Sequence, residues 1–181
     1  FSRMKRILDR DFENRLATVE PGVVNLHITQ AAKKNNFYYA PDPSSQMVST
    51  IGGNVAENSG GPHTLKYGVT TNHVMALEVV LPDSEVYEIG TAAGDFAGYD
   101  LVGVFVGSEG TFGTVTKATV RLLYSPPAVK TMLAVYDSVA DATRTVSGII
   151  ARGIVPAALE MIDRNTIQAI EAGVYATGIP K

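Results

Sequence analysis

Residues 41–68, PDPSSQMVSTIGGNVAENSGGPHTLKYG, constrain the chain more than any other stretch. Pro41 and Pro43 fix φ at their own positions and push the residues before them out of helix, so the segment enters extended and then turns. Glycines follow at 52, 53, 60, 61 and 68 among small polar residues. Paired glycines permit positive φ and let backbone come close to a ligand or to another segment. Successive N–H groups in such a bend converge on an anion such as a pyrophosphate. The competing reading is a tight turn between a strand and a short helix, and spacing alone leaves both open. Under the first reading, the amides of the Ile51–Asn54 and Ser59–Gly61 bends face one shared hollow. The side chains of Ser45, Thr50 and Asn54 then grip phosphate and ring edges.

Several function classes fall away. The pattern GxxxxGK[ST] is absent, which disfavours a P-loop nucleotide hydrolase. GxGxxG is absent as well, and the run from Gly107 to Gly113 misses its spacing, which disfavours an ordinary dinucleotide-binding βαβ unit. The net charge of −3 gives no basic face for nucleic acid. The chain has no cysteine, so thiolate nucleophiles, cysteine-bound metals and disulfides are out, and a reducing, cytoplasmic setting fits. No apolar run reaches the roughly 20 residues that span a bilayer. Hydrophobic content of 45% with 18% charged residues implies a packed core.

Along the 181 residues, patterning predicts mixed α and β elements. Ile7–Leu8 and Ala17–Val19 flank a polar turn as a hairpin. Asn25 is placed to cap a helix to about Lys34, and Asn54–Asn58 to form a helical turn beside the Gly52–Gly53 pair. Val74–Leu81 and Glu85–Ile89 read as a hairpin around Pro82–Ser84, and Val115–Leu123 as a half-buried strand. Pro126–Pro127 marks a subdomain boundary. Beyond it a β-α-β-α run is expected: a strand at Thr131–Tyr136, a helix from Ser138 to Gly153, a strand at Ala157–Ile162, and a helix capped by Asp163. The opening at Phe1 and the stop after Pro180 read as an excised piece of a longer protein.

Glu57 and Glu109 are carboxylates in glycine-rich surroundings, suited to a ribose or a ring N–H, or simply to capping backbone amides. His27, His63 and His73 lack metal-ligand spacing, and only His63 lies near the glycine segment. Asp100 reads as a helix cap.

Three motifs in order are familiar: APDPSSQMVSTIGGNVAENSGG, LKYGVTTNHVMALEVVLPDSEV and AGYDLVGVFVGSEGTFGTVTKATVRLL. Together they resemble the FAD-linked oxidases of the vanillyl-alcohol-oxidase type, nearest to the D-2-hydroxyacid dehydrogenases. The resemblance implies an α+β fold: the second lobe of a two-lobed FAD-binding domain over 1–125, with its phosphate-loop lobe missing, then a truncated α/β substrate cap over 126–181. It implies FAD as cofactor. Pro41, Asp42, Ser44, Ser45, Thr50, Gly52, Gly53 and Asn54 would line flavin and pyrophosphate. Asn58, Ser59, Gly60, Gly61 and Gly68 would continue that wall, and Glu109, Gly113 and Val115 would meet the adenosine side. The implied chemistry is oxidation of a small 2-hydroxyacid, of glycolate or D-lactate type, with hydride passing to flavin. The partners implied are electron-acceptor subunits or a quinone, without nucleic acid and with peripheral membrane association allowed. Two alternatives stand beside this: a UDP-sugar reductase of the same flavin superfamily, and a non-catalytic flavin-fold module. The resemblance assigns no catalytic residue and no metal ligand within this chain.

Overall fold

The computed structural model describes residues 1–93, 98–174 and 177–178. Ala97, which opens the last motif, and Pro180–Lys181 lie outside the described residues. The chain starts with a hairpin of β1 (Ile7–Asp11) and β2 (Leu16–Val19). Its turn is fixed by Asp11, whose Oδ1 accepts the Asn14 N–H at 2.9 Å, and by Arg15 in the left-handed region. Next come α1 (Asn25–Ala32), β3 (Phe37–Tyr38), α2 (Ile51–Glu57) and α3 (Thr64–Tyr67). A second hairpin joins β4 (Val74–Val80) to β5 (Val86–Gly90). Then follow α4 (Leu101–Phe105), β6 (Thr114–Arg121) and β7 (Leu123–Tyr124). The chain closes with α5 (Val139–Ala151) and α6 (Arg164–Glu171).

Five strands form one antiparallel sheet in the order β1-β2-β6-β4-β5. β6 is its middle strand, and Ala118 and Val120 are fully buried there. β4 alternates from residue 75 on, as a half-buried strand should: Met75, Leu77 and Val79 are buried, and Glu78 turns to the other face, where its Oε2 accepts from Lys117 Nζ at 2.7 Å. The core continues into Ile28 of α1, Ile51 and Val55 of α2, and Val102 and Phe105 of α4. A small pair, β3 with β7, closes one end, where the ring of Phe37 stacks on Phe12 and Tyr124. Mixed helix and antiparallel sheet match the α+β expectation.

Three local expectations change. Asn25 does not cap α1. Its side chain is buried and Nδ2 donates to the Pro41 carbonyl at 3.0 Å, so it fastens the proline-rich segment instead. α2 starts at Ile51 and takes both glycines into its first turn, with Thr50 as the cap. The spacing suggested a loop there because glycine is a poor helix former, but burial of Ile51 and Val55 overrides that preference.

The third change is larger. Thr131–Tyr136 and Ala157–Ile162 are not strands, and among the described residues neither has a strand partner. Apolar, β-branched patterning marks a segment that can pair, but a ladder needs a second backbone. The helix signals nearby hold. Ser138 Oγ accepts from the Asp141 N–H at 3.1 Å, Asp163 Oδ1 accepts from the Thr166 N–H at 3.0 Å, and Gly153 ends its helix at φ 73°.

Leu77→Ala should cost about 2–5 kcal/mol in urea unfolding, the range for emptying a packed leucine site. Tyr87→Ala, on the exposed face of edge strand β5, should stay within about 0.5 kcal/mol of the parent in the same assay.

Candidate functional site

The position of α2 follows from four contacts. The Ile51 N–H donates to Val23 O and the Gly52 N–H to Pro21 O, both at 2.8 Å. At the other end, the Gly107 N–H donates to Val55 O at 2.8 Å and the Glu109 N–H to Ala56 O at 3.0 Å. The loop after α4 therefore satisfies carbonyls at the end of α2 that a short helix leaves open. Glu109 takes a left-handed φ of 52° to do so. Between the first turn of α2 and this loop lies a hollow of about 170 Å³. Thr50, Gly52 and Gly53 form one side, and Glu109, Gly110, Gly113 and Val115 the other.

The expected pairing of glycine bends is thus corrected. The hollow joins the first bend to the Glu109–Val115 loop, and the second bend does not line it. The amides also have partners inside the chain. Those of Ile51, Gly52 and Asn54 donate to carbonyls, that of Ser59 to Asn54 O, and that of Gly61 to Thr64 Oγ1 at 2.9 Å. Gly53 is held loosely, its N–H reaching Thr50 Oγ1 at 3.4 Å.

The fold itself accounts for most of these glycines. A Cβ on Gly52 would stand 2.7 Å from Pro21 Cβ, and one on Gly60 would stand 2.7 Å from Thr64 Oγ1 and 2.8 Å from Val69. A Cβ on Gly61 would overlap the Asp42 carbonyl, and one on Gly113 would press on Val80 O at 2.8 Å. Gly68 has φ 81°. Gly53 is different: a Cβ there meets only Thr50 Oγ1, at an ordinary 3.5 Å. Packing does not require glycine at 53, in a helix turn where alanine would be the better former by up to about 1 kcal/mol. The neighbouring Asn54 is buried, and its Nδ2 has no acceptor among the described residues. Asn54 does not line the hollow, so it is Gly53, the unneeded glycine on its rim, that suits a site receiving a polar group from outside the chain.

The remaining candidates form a separate wall. Asp42 and His63 are hydrogen-bonded, with Oδ2 and Nδ1 2.6 Å apart. Pro41 O is held by Asn25, Pro43 O by the Gln46 N–H, and Ser45 O by the Val48 and Ser49 N–H groups. Ser44 is exposed. Asn58, left-handed at φ 50°, accepts the Thr71 N–H on Oδ1 at 3.0 Å, and Ser59 O accepts both the N–H and the hydroxyl of Thr70. Patterning missed Pro21, Phe105, Ser108 and Gly110 as lining residues. For the last, its place in the glycine-rich run from Gly107 to Gly113 was the available signal.

His73 sits under this wall. Its ring is buried, Nε2 donates to Tyr67 O at 2.8 Å, and Nδ1 has no partner among the described residues. Burial pushes its pKa below the ordinary 6.5, with Arg121 adding repulsion. A larger hollow of about 480 Å³ lies against α5, but it holds none of the selected residues. Both of its arginines are engaged, Arg144 with Asp141 and Arg152 with Gly148 O.

Comparison with known proteins identifies the family. A family described as the FAD binding domain matches residues 1–90, and one described as FAD linked oxidases, C-terminal domain, matches residues 125–178. The chain belongs to the FAD-linked oxidase family. It is 51% identical over 172 residues to the glycolate oxidase subunit GlcD of Bacillus subtilis, covering 94% of this chain and 37% of that protein. It is 34% identical over 171 residues to a D-lactate dehydrogenase of Anaerostipes hadrus, covering 94% of this chain and 36% of that one. Among solved structures, an alkyldihydroxyacetonephosphate synthase superposes with a TM-score of 0.71 at 24% identity, over 87% of this chain and 30% of its own, which shows the shared fold. The chain spans about a third of the length of the curated relatives it matches. No helix among the described residues is long and apolar enough to cross a membrane.

Because His73 is neutral when folded, the unfolded chain binds the extra proton. Its contribution to stability should be complete above pH 6.5 and fall away as pH drops below it. Urea unfolding at a series of pH values should show this loss, and His73→Gln should flatten it.

Proposed function

We propose that this chain is part of an FAD-dependent oxidoreductase acting on a small D-2-hydroxyacid of the glycolate or D-lactate class. The observation that carries the reading is Gly53, a glycine with no internal steric reason, on the rim of a hollow whose far side is the Glu109–Val115 loop. In this reading Gly53 lets the cofactor's pyrophosphate lie directly on backbone. Glu109, Gly113 and Val115 take the adenosine end. Pro41, Asp42, Ser44, Ser45, Thr50, Gly52, Asn58, Ser59, Gly60, Gly61 and Gly68 shape the wall, most of them by fixing backbone. The bound flavin would supply the two-electron acceptor. The chain's own residues orient it and keep water off one side.

The hollow of about 170 Å³ is smaller than the roughly 300–1,000 Å³ of a complete small-molecule site, so other polypeptide must supply further contacts for tight binding. We assign residues 1–125 to the cofactor lobe and 126–181 to the beginning of a substrate cap. Electron-acceptor subunits or a quinone would take the electrons, in the cytoplasm or at the membrane's inner face.

A UDP-sugar reductase of the same superfamily would use the same hollow. The relatives named for glycolate and D-lactate favour the hydroxyacid reading.

Titrating FAD into the chain while following flavin fluorescence should give saturation only above micromolar concentration. Gly53→Ala should weaken it at least about tenfold. The same variant should melt at the parent's temperature or higher, since alanine suits that turn better. Binding indifferent to Gly53→Ala would contradict the assignment, and sub-micromolar binding would contradict the need for further contacts.

A further inference from the structure

Among the described residues, the non-glycine positions in the left-handed region are Arg15, Asn36, Asn58, Ser84 and Glu109. Asparagine tolerates that region, and serine suits a turn. Arg15 has an internal partner, its guanidinium lying 6.0 Å from the centroid of the Tyr124 ring. Glu109, at φ 52°, shares neither condition. Its neighbours Gly107 and Gly110 are left-handed too, at φ 85° and 75°, and glycine adopts this region at low steric cost. The bond from the Glu109 N–H to Ala56 O holds the backbone at 109 there. Glycine would meet that demand with less strain. The Glu109 side chain is exposed on the rim of the hollow and has no partner among the described residues. A long side chain kept at a strained position without an internal partner points to a use outside the chain.

The hollow also has a polarity. On one side the Gly53 N–H is loosely held and Thr50 carries a hydroxyl, and on the other stands Glu109. The first side donates to an anion. A carboxylate only accepts, and it repels an anion. A ligand that satisfies both sides carries an anionic group at one end and paired donors at the other, within about 170 Å³. A phosphorylated ribose has that layout. We propose that Glu109 reads the vicinal diol of the ribose in a 5′-phosphorylated nucleoside and thereby sets the specificity of the hollow. The inference rests on the cofactor reading above and names the group of FAD that the Glu109 side selects.

The chemistry of the pair fits the role. The two hydroxyls of the diol are neighbours, and one carboxylate has two oxygens to receive them. Hydrogen bonds to an ionised acceptor are roughly twice as strong as neutral ones. An analogue without the hydroxyls strips water from the carboxylate and returns no partner, so a site of this kind rejects it strongly. An analogue with a phosphate in place of a hydroxyl meets like charge. Neither discrimination needs a side chain on the Gly53 side, where backbone alone faces the phosphate.

The test follows FAD fluorescence in the full chain as FAD is displaced by ADP or by 2′,3′-dideoxy-ADP, in the parent, Glu109→Gly and Glu109→Ala. In the parent, ADP should displace FAD at a concentration at least about tenfold lower than the dideoxy compound. Both variants should lose that preference. Glu109→Gly should melt above the parent, because glycine relieves the left-handed strain, whereas Glu109→Ala keeps the strain and should not. The alanine variant thus separates loss of the carboxylate from a loosened loop. A preference unchanged in both variants overturns the proposal, as when a cation of another polypeptide holds Glu109. So does a parent that treats the two nucleotides alike, or a preference lost with glycine and kept with alanine. FAD binding that falls with Gly53→Ala while the nucleotide preference ignores position 109 removes this inference alone and leaves the cofactor reading standing. A chain that binds neither FAD nor ADP removes both.

Discussion

The close approach of Gly52 to Pro21 is the contact on which the rest of the site depends. It lets the first turn of α2 lie against the segment after β2, with Ile51 and Gly52 donating to backbone carbonyls there. A side chain at 52 would lift the helix off the sheet. With α2 seated, Val55 O and Ala56 O stand where the Gly107–Glu109 loop can close on them, and the hollow forms between. The polar demands of backbone thus build the site: each open helix carbonyl draws in a loop amide, and the loop carries the far wall.

The glycines of this segment do two different jobs. Gly52, Gly60, Gly61 and Gly113 are small because another part of the chain presses on them. Gly53 is small with nothing pressing on it. That contrast separates architecture from binding within a single run of sequence. Asp42 and His63 belong to the architectural side, since their hydrogen bond ties the proline-rich entry to the turn after Gly61. Buried, neutral His73 supports that turn from below by holding the Tyr67 carbonyl.

Much of this was legible in the sequence. The β4–β5 hairpin, the Asp100, Ser138 and Asp163 caps and the Gly153 stop are local effects, written in residues close together. The second glycine bend was misplaced because the partner of Gly53 lies more than fifty residues downstream, and no period or spacing reports such a contact. The strands expected at 131–136 and 157–162 failed for a related reason. Alternation shows that a segment can pair, but whether a partner exists is a property of the assembled structure. Asn25 showed the same ambiguity in miniature, since a residue suited to a cap was drawn to Pro41 instead.

The most direct measurement is residue-resolved. In an ¹⁵N–¹H correlation spectrum of the chain titrated with FAD, the Gly53 and Gly110 amides should move first. The Gly52 and Gly61 amides, already donating inside the chain, should lag. Early shifts at Gly61 and Gly68 with a silent Gly53 would contradict the account.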